Sequence, residues 1–346
     1  MGDSIENIKL QLGKYQKLLL TEGADKNEVF SEASIQEHKK KMIEAKNIEA
    51  ILEVLISFRV NALQISSELR SNLVHDLIRN DIFLIEETKN NNFVLELFDV
   101  PSLVQPLCAL ISILASKIKG VDYLLLNGSS ILQRVVDILR KQENSTVIQR
   151  FCLAILQKAS VKESTIEVML KNQMINWILK LVEESVIKEV HIFSVDFAIA
   201  LLANILHAGV TLEVLEKNNT LTKDIIERLL GLLKSNLAIS VLMHILICLA
   251  YLSKERFSVQ AEQCQLTDKI SEFVEYFSQQ NTLETDEVDK RTVLDLCAHI
   301  FHPKDGVADS SQSMEYNGMK FEEKIKEFEN EQSELIFECF PDETNS

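Results

Sequence analysis

The densest group of potential metal ligands is the stretch Cys297-Ala-His299-Ile-Phe-His302. A structural zinc site needs about four converging ligands, and Cys264 is the one further candidate that the sequence offers. Cys297 also falls on the apolar side of a helical pattern, where a side chain packs inward. We therefore predict that this stretch packs a helix, and that the chain binds no metal and no cofactor.

Signatures of catalysis are missing from the sequence. It contains no G-x-G-x-x-G, no G-x-x-x-x-G-K-[ST], no G-x-S-x-G, no H-E-x-x-H and no C-x-x-C. The histidines at 75, 191, 207 and 244 stand alone, because no nucleophile or orienting carboxylate occurs at a spacing that would serve them. We predict that the protein is not an enzyme.

An internal repeat is the strongest signal in the sequence. In five segments, apolar residues recur at i, i+3, i+4 and usually i+7, which is the pattern of one helix face. The segments are Leu107–Ser116, Phe151–Ser160, Ala198–His207, Ile245–Lys254 and Val293–His302. Their first residues are 44, 47, 47 and 48 positions apart, close to the roughly 40–47 residues of armadillo and HEAT repeats. The period predicts an all-α, armadillo- or HEAT-like α-solenoid, a right-handed superhelix of helical repeats, with a non-repetitive helical bundle as the alternative.

Between these segments, a polar step precedes a second amphipathic helix. The steps contain Asn127, Asn172 and Asn219. Asn favours short turns, since its side chain can bond nearby backbone amides. We expect these residues to lie in the short turn that leads into the following helix, with their side chains bonded to nearby backbone amides.

One column of the repeat is a candidate binding groove. Repeat solenoids bind partners along an extended concave surface, and the column just before the last apolar row predicts such a protein-binding groove. Its members are Ile113, Gln157, Asn204, Tyr251 and His299, of which the last four are the predicted binding residues.

The composition of this column narrows the kind of ligand. Receptors for nuclear-localisation peptides resemble one another in an Asn ladder with paired Trp, whereas here one Asn lies on the column and the single Trp177 precedes it in another helix. Lys and Arg are missing from the column, which argues against an acidic ligand that needs a basic groove.

Charge and cysteine usage indicate the class of partner and the compartment. The 346 residues include 36 Lys or Arg and 52 Asp or Glu, a net charge of -16, so we expect protein partners rather than nucleic acid. No secretory signal opens the chain, and the apolar run from Ala238 to Leu252 is interrupted by Ser240 and His244, so no membrane span is expected. Six scattered cysteines predict reduced, mostly buried thiols and a cytoplasmic or cytoskeletal location.

Both ends of the chain differ from the repeats. From Pro303 to Ser346, four Lys stand against twelve Asp or Glu, so this segment carries -8 of the net charge.

The predicted organisation is residues 1–34 as a helix and polar linker, residues 35–303 as the repeat domain, and residues 304–346 as an acidic linker and tail helix. A long helix is expected to start at Ile35 and run past Ile56. The first helix either caps the repeats or recruits a partner, and the tail helix either packs on the last repeat or docks into a groove. The apolar stripe of the tail helix consists of Phe321, Ile325, Phe328, Leu335 and Ile336.

Several segments resemble one particular family. They are residues 73–81, 124–143, 154–160, 174–182 and 193–206. Their order and spacing are similar to those of the LisH-domain armadillo-repeat proteins of the ciliary basal body, over roughly residues 45 to 310. Tyr15 to Glu32 is only a shortened imitation of the LisH dimerisation motif, so dimerisation by that route is not expected.

The resemblance implies a non-enzymatic scaffold of the basal body and cilium, partnered with a TOG-domain microtubule regulator. Because the chain is acidic, any link to acidic tubulin tails should run through such a partner. The alternative function is a soluble armadillo adaptor in trafficking, ubiquitin or transcriptional regulation, with the tail helix as an intramolecular groove ligand.

Overall fold

The fold was analysed in a computed structural model that describes residues 30–45, 47–142, 146–279 and 287–301. Within these ranges every regular element is a helix, which confirms the all-α prediction for this part of the chain. The helices are α1 (Glu32–Ile43), α2 (Ile48–Gln64), α3 (Ser67–Arg79), α4 (Ile85–Thr88), α5 (Asn92–Phe98), α6 (Pro101–Ala115), α7 (Ile118–Leu124), α8 (Ser130–Lys141), α9 (Val147–Ala159), α10 (Glu163–Lys171), α11 (Met174–Ile187), α12 (Ile192–His207), α13 (Gly209–Lys217), α14 (Asn219–Leu232), α15 (Ile239–Leu252), α16 (Ser258–Gln263), α17 (Leu266–Gln279) and α18 (Glu287–Phe301).

The described residues fall into two compact units that divide between Ile131 and Leu132. The division lies inside the predicted repeat domain of residues 35–303. In the first unit α2 packs on α6, and α3 packs on α7.

The second unit is built from helices that pack on the helix three places further along the chain. The helices α9, α12, α15 and α18 form one such row, and α11, α14 and α17 form another. No helix of a row buries its apolar side alone, so each depends on its neighbours for its core. This packing is compatible with an α-solenoid.

The five repeat segments of the sequence lie in α6, α9, α12, α15 and α18, apart from residues beyond the helix ends. Their apolar columns are buried, as at Leu110, Ala154, Leu201, Cys248 and Leu296. The helical periodicity therefore located the buried faces of these five helices correctly.

The helix expected to run from Ile35 past Ile56 is interrupted. α1 ends at Ile43, and α2 begins at Ile48 after Asn47, whose side chain accepts a hydrogen bond from the amide of Ala50 at 3.0 Å. An Asn in this position satisfies one of the free amides of a new helix. The prediction of a single helix was wrong because the pattern did not distinguish an internal Asn from a capping one.

Asn127 and Asn172 lie in turns before the second helices, as predicted, but their side chains bond other groups than the amides of those helices. Asn172 exchanges a hydrogen bond with Gln133 at 2.8 Å, and Asn127 donates to the carbonyl of Ile85 at 2.7 Å. The cap of α14 is Asn218 rather than Asn219, with its side chain accepting from the amide of Leu221. Asn127 and Asn172 thus each connect segments that are far apart in the sequence, Asn127 within the first unit and Asn172 within the second. Neither side chain caps the helix that follows it.

A residue with left-handed backbone recurs in these turns. It is Gly128 (φ 87°) before α8, Gln173 (φ 54°) before α11 and Gln265 (φ 54°) before α17. A side chain raises the energy of this conformation, whereas glycine adopts it freely. We expect Gln173→Gly and Gln265→Gly each to raise the free energy of unfolding by about 0.5–1 kcal/mol, since both side chains are exposed.

Urea unfolding of the two variants and of Gly128→Ala checks this expectation. Gly128→Ala is the matched control, because a Cβ there has open space but would still meet the unfavourable φ. It should therefore be destabilising. Equal or lower stability of both glycine variants would contradict the argument.

In the first unit, a buried carboxylate organises the turn between α3 and α4. Asp81, with left-handed backbone (φ 43°), accepts hydrogen bonds from the amides of Ile85, Glu86 and Glu87 and from the hydroxyl of Tyr123 at 2.7 Å. The Tyr123 oxygen in turn accepts from the amide of Phe83 at 3.0 Å. α7 is thereby fastened to the turn through polar groups that are all paired.

This arrangement predicts a loss of stability at alkaline pH. Burial, and then the hydrogen bond to Asp81, raise the pKa of Tyr123 far above its usual value near 10. Below pH 10 Tyr123 is neutral in both the folded and the unfolded chain. Above pH 10 Tyr123 loses its proton only in the unfolded chain. Its contribution to the free energy of unfolding therefore falls by up to about 1.4 kcal/mol per pH unit. Chemical unfolding at pH 9 and at pH 11 checks this prediction. Between these two pH values, the free energy of unfolding should fall less for Tyr123→Phe than for the parent chain.

No single helix among the described residues is both long enough and apolar enough to cross a membrane. α12 and α13 reach that length only as a pair, and the chain bends by 78° where they join.

Candidate protein-binding surface

The C-terminal ends of α9, α12 and α15 lie next to one another. Asn204 near the end of α12 contacts Ser160 at the end of α9, and the rings of His207 and Tyr251 are 5.0 Å apart. At the opposite ends, Ser240 of α15 donates to Asp196 of α12 at 2.7 Å. The helices are therefore parallel, and their last turns form one continuous edge.

We call this surface the third-helix edge, since it ends every third helix of the second unit. It consists of Gln157, Ser160, Val161, Asn204, His207, Tyr251 and Lys254.

Asn204 contributes its amide group to packing between helices. Its Nδ2 donates to the Ser160 Oγ at 2.8 Å and approaches the carbonyl of Gln157 at 3.5 Å, while Ser160 donates to that same carbonyl at 2.5 Å. Both hydrogens of the amide are thus directed to α9. Asn204 therefore holds the ends of α9 and α12 together.

Tyr251 forms the aromatic centre of the edge. The Lys254 Nζ lies 5.4 Å from the centre of the Tyr251 ring, and His207 packs on that ring from the neighbouring helix. Burial, and then the positive charge of Lys254, lower the pKa of His207, while burial raises the pKa of Tyr251 to about 12. At neutral pH two uncharged rings therefore lie beside one cation, in a geometry that gives a cation–π contact.

The other predicted groove residues occupy different environments. Gln157 is half-buried, and its Oε1 accepts no hydrogen bond from the described residues. His299 is exposed on α18, which packs on α15, whereas Ile113 is buried on α6 in the first unit. The structure thus brings Gln157, Asn204 and Tyr251 onto one edge.

The predicted docking residues of the tail helix lie outside the described residues. They are Phe321, Ile325, Phe328, Leu335 and Ile336.

Four residues of the edge were missed in the sequence: Ser160, Val161, His207 and Lys254. Lys254 lies two positions beyond the end of α15 and has an extended backbone, so helical spacing did not indicate its contact with Tyr251. Ser160 belongs to a recurring feature, because Ser116, Ser160 and Ser253 each end a helix and donate to the carbonyl three residues earlier. A search for Ser at the helix ends would have found it.

Exposed aliphatic side chains lie around the opposite end of α12. Val186, Ile187 and Ile192 are exposed around the turn from α11 to α12, and Ile187 is 86% exposed. The two ends of α12 thus differ, since aromatic and polar groups lie at one end and three aliphatic side chains lie beside the exposed Lys188 and Glu189 at the other.

The cysteines among the described residues are buried. Cys108, Cys152, Cys248, Cys264 and Cys297 are free and buried, which confirms the predicted burial for these five. Burial raises the pKa of Cys297 to about 12, so it stays protonated at neutral pH. Within the described residues no group of three or more His, Cys, Asp or Glu side chains is placed to hold a metal ion.

The comparisons with known proteins gave no relative: the sequence matches no protein-family model and none of the curated proteins.

Proposed function

We propose that this chain is a non-enzymatic scaffold that binds other proteins along the third-helix edge. The observation that carries the proposal is the parallel alignment of α9, α12 and α15, which presents Gln157, Asn204 and Tyr251 side by side. Aromatic residues with neighbouring polar groups are enriched where proteins bind one another. Packing of every third helix supports an armadillo-type right-handed solenoid as the scaffold.

Charge substitution at Tyr251 tests the edge as a binding surface. Tagged full-length protein and its Tyr251→Glu variant are captured from the same cells, and bound proteins are compared quantitatively. Because Tyr251 is half-buried, a Tyr251→Phe variant and thermal unfolding separate binding from folding. We expect the Glu variant to lose specific partners about tenfold or more, as for a central aromatic contact.

The matched control is Ile187→Glu, at the end of α11, in the turn that leads to the opposite end of α12. It also adds one negative charge, and it removes a more exposed side chain. Partners that survive Tyr251→Glu and disappear with Ile187→Glu would assign binding to the aliphatic end and contradict our proposal.

A finer proposal places this scaffold at the ciliary basal body, with a TOG-domain microtubule regulator as partner and a cytoplasmic, cytoskeletal location. It is supported by the resemblance of residues 73–81, 124–143, 154–160, 174–182 and 193–206 to the LisH-domain armadillo-repeat family. Imaging of the tagged full-length chain against a centriole marker tests it. Puncta at basal bodies are expected, whereas a diffuse signal would favour the soluble adaptor.

A further inference from the structure

We propose that Asn127 is a site of spontaneous deamidation, and that this reaction permanently releases the turn between α7 and α8 from α4. The proposal is independent of the third-helix edge, because Asn127 and α4 both belong to the first unit. It adds a covalent modification site at which the chain itself supplies the attacking group and water is the co-reactant.

The local sequence supplies the reacting groups. Asn127 is followed by Gly128, and both residues are exposed to water. Because glycine has no Cβ, its amide nitrogen can approach the preceding side chain with less steric hindrance than that of any other residue. The sequence contains one further pair of this type, Asn317-Gly318. Asn127 is therefore the Asn-Gly site within the described residues.

The reaction exchanges an amide for a carboxylate. The Gly128 nitrogen attacks the side-chain carbonyl carbon Cγ of Asn127, and a bond forms between these two atoms. The bond from Cγ to Nδ2 breaks, and Nδ2 leaves as ammonia with the proton that the Gly128 nitrogen gives up. Water then opens the cyclic imide at one or the other of its carbonyl carbons. The products are aspartate and isoaspartate, and each adds one negative charge to the chain.

The folded turn restrains both reacting groups. Nδ2 of Asn127 donates a hydrogen bond to the carbonyl of Ile85 in α4 at 2.7 Å, and the Gly128 nitrogen donates to the carbonyl of Leu125 at 3.0 Å. Attack needs a nitrogen that has given up its proton and a side chain that is free to rotate, so both hydrogen bonds must open first. Deamidation is therefore confined to molecules in which this turn has opened locally.

Conversion removes the donor that connects the turn to α4. A carboxylate only accepts hydrogen bonds, so it would meet the carbonyl of Ile85 with no hydrogen to donate. The stretch that contains this carbonyl is already acidic, because Glu86 and Glu87 follow directly. A further negative charge beside it is unfavourable. The contact with α4 therefore does not form again in a converted molecule.

Peptide mapping by mass spectrometry of the full-length chain at neutral pH tests the site. We expect Asn127 to convert at least about tenfold more slowly in the folded chain than in the same chain unfolded in guanidinium chloride. In the unfolded chain Asn127 and Asn317 should convert at similar rates, since both precede glycine. Equal rates for Asn127 in the folded and the unfolded chain, or no conversion in either, would overturn the proposal.

Asn91→Ala tests whether the turn controls the reaction. Asn91 is buried beside the start of α5, and its Nδ2 donates to the Oγ of Ser130, the first residue of α8, at 2.7 Å. Loss of this hydrogen bond loosens the turn, so Asn127 in the folded chain should convert about threefold faster or more. Ser130→Ala removes the acceptor instead and should act in the same direction. Asn92→Ala, at the exposed neighbouring position, is the matched control, and an equal acceleration by it would overturn control by the turn.

Asn127→Asp reproduces one product of the reaction and tests the release of the turn. Asn127→Ala is the matched control, because it removes the same donor without adding a charge. Both variants should unfold at a lower urea concentration than the parent chain, and Asn127→Asp at the lowest. Unfolding of Asn127→Asp at the same urea concentration as the parent chain would contradict the release.

Discussion

Gly120→Ala is expected to lower the free energy of unfolding of the first unit by at least about 3 kcal/mol. A Cβ at this position would lie 1.8 Å from the carbonyl oxygen of Leu114 and 2.6 Å from its carbonyl carbon. Both atoms belong to the backbone of α6, so no side-chain rotation can relieve the overlap. α7 would have to move away from α6, although Val121 and Leu124 of α7 are buried.

Urea unfolding followed by circular dichroism measures this effect, with Gly231→Ala as the matched control. Gly231 lies within α14, and a Cβ there meets nothing within 4 Å. Ala is the better helix former, so the control should be more stable by up to about 1 kcal/mol. A stable, normally folded Gly120→Ala protein would show that the close packing of α6 and α7 is dispensable.

The second large effect is expected from Asp81→Ala, which should cost about 3 kcal/mol. The carboxylate accepts four hydrogen bonds, three from backbone amides at the start of α4 and one from Tyr123. Alanine leaves these donors without their acceptor inside the protein, where Asp81 is 7% exposed. It must also adopt φ 43°, which Ala tolerates less well than Asp.

Asp81→Asn separates the contribution of the accepted hydrogen bonds from that of the left-handed backbone. Asn tolerates left-handed backbone and keeps one oxygen acceptor, so we expect about half the loss of the Ala variant. Thermal unfolding of both variants provides the comparison. Equal losses for Asn and Ala would indicate that the charge of Asp81, rather than its backbone conformation, supplies the stability.

The recurring apolar faces could be predicted because the helical spacing of apolar residues is directly visible in the sequence. The first residues of the five segments all lie in helices and are buried: Leu107, Phe151, Ala198, Ile245 and Val293. The break at Asn47 could not be predicted in this way, because a capping Asn and an internal Asn differ only in the backbone around them. The acidic tail and the N-terminal helix stay predictions, as does the choice between armadillo and HEAT geometry.

The third-helix edge was predicted only in part. Gln157, Asn204 and Tyr251 were found because they occupy one register of the repeat, and stacked repeats align equal registers. The hydrogen bond from Asn204 to Ser160 could not be predicted, since it depends on how closely α9 and α12 approach each other. Lys254 was missed because it follows the end of α15, where the chain folds back beside Tyr251.

The sequence by itself determined that the described part of this chain is helical, that its helices recur about every 47 residues and that its cysteines are mostly buried. These properties follow from local periodicity and from hydrophobicity, which act over a few turns of chain. The tertiary structure alone decided which polar side chains form hydrogen bonds within the protein. Asp81 and Tyr123, 42 positions apart, and Ser160 and Asn204, 44 apart, meet only after the helices have packed. Hydrogen bonding depends on distances of tenths of an ångström, and no pattern along the chain specifies distances between helices.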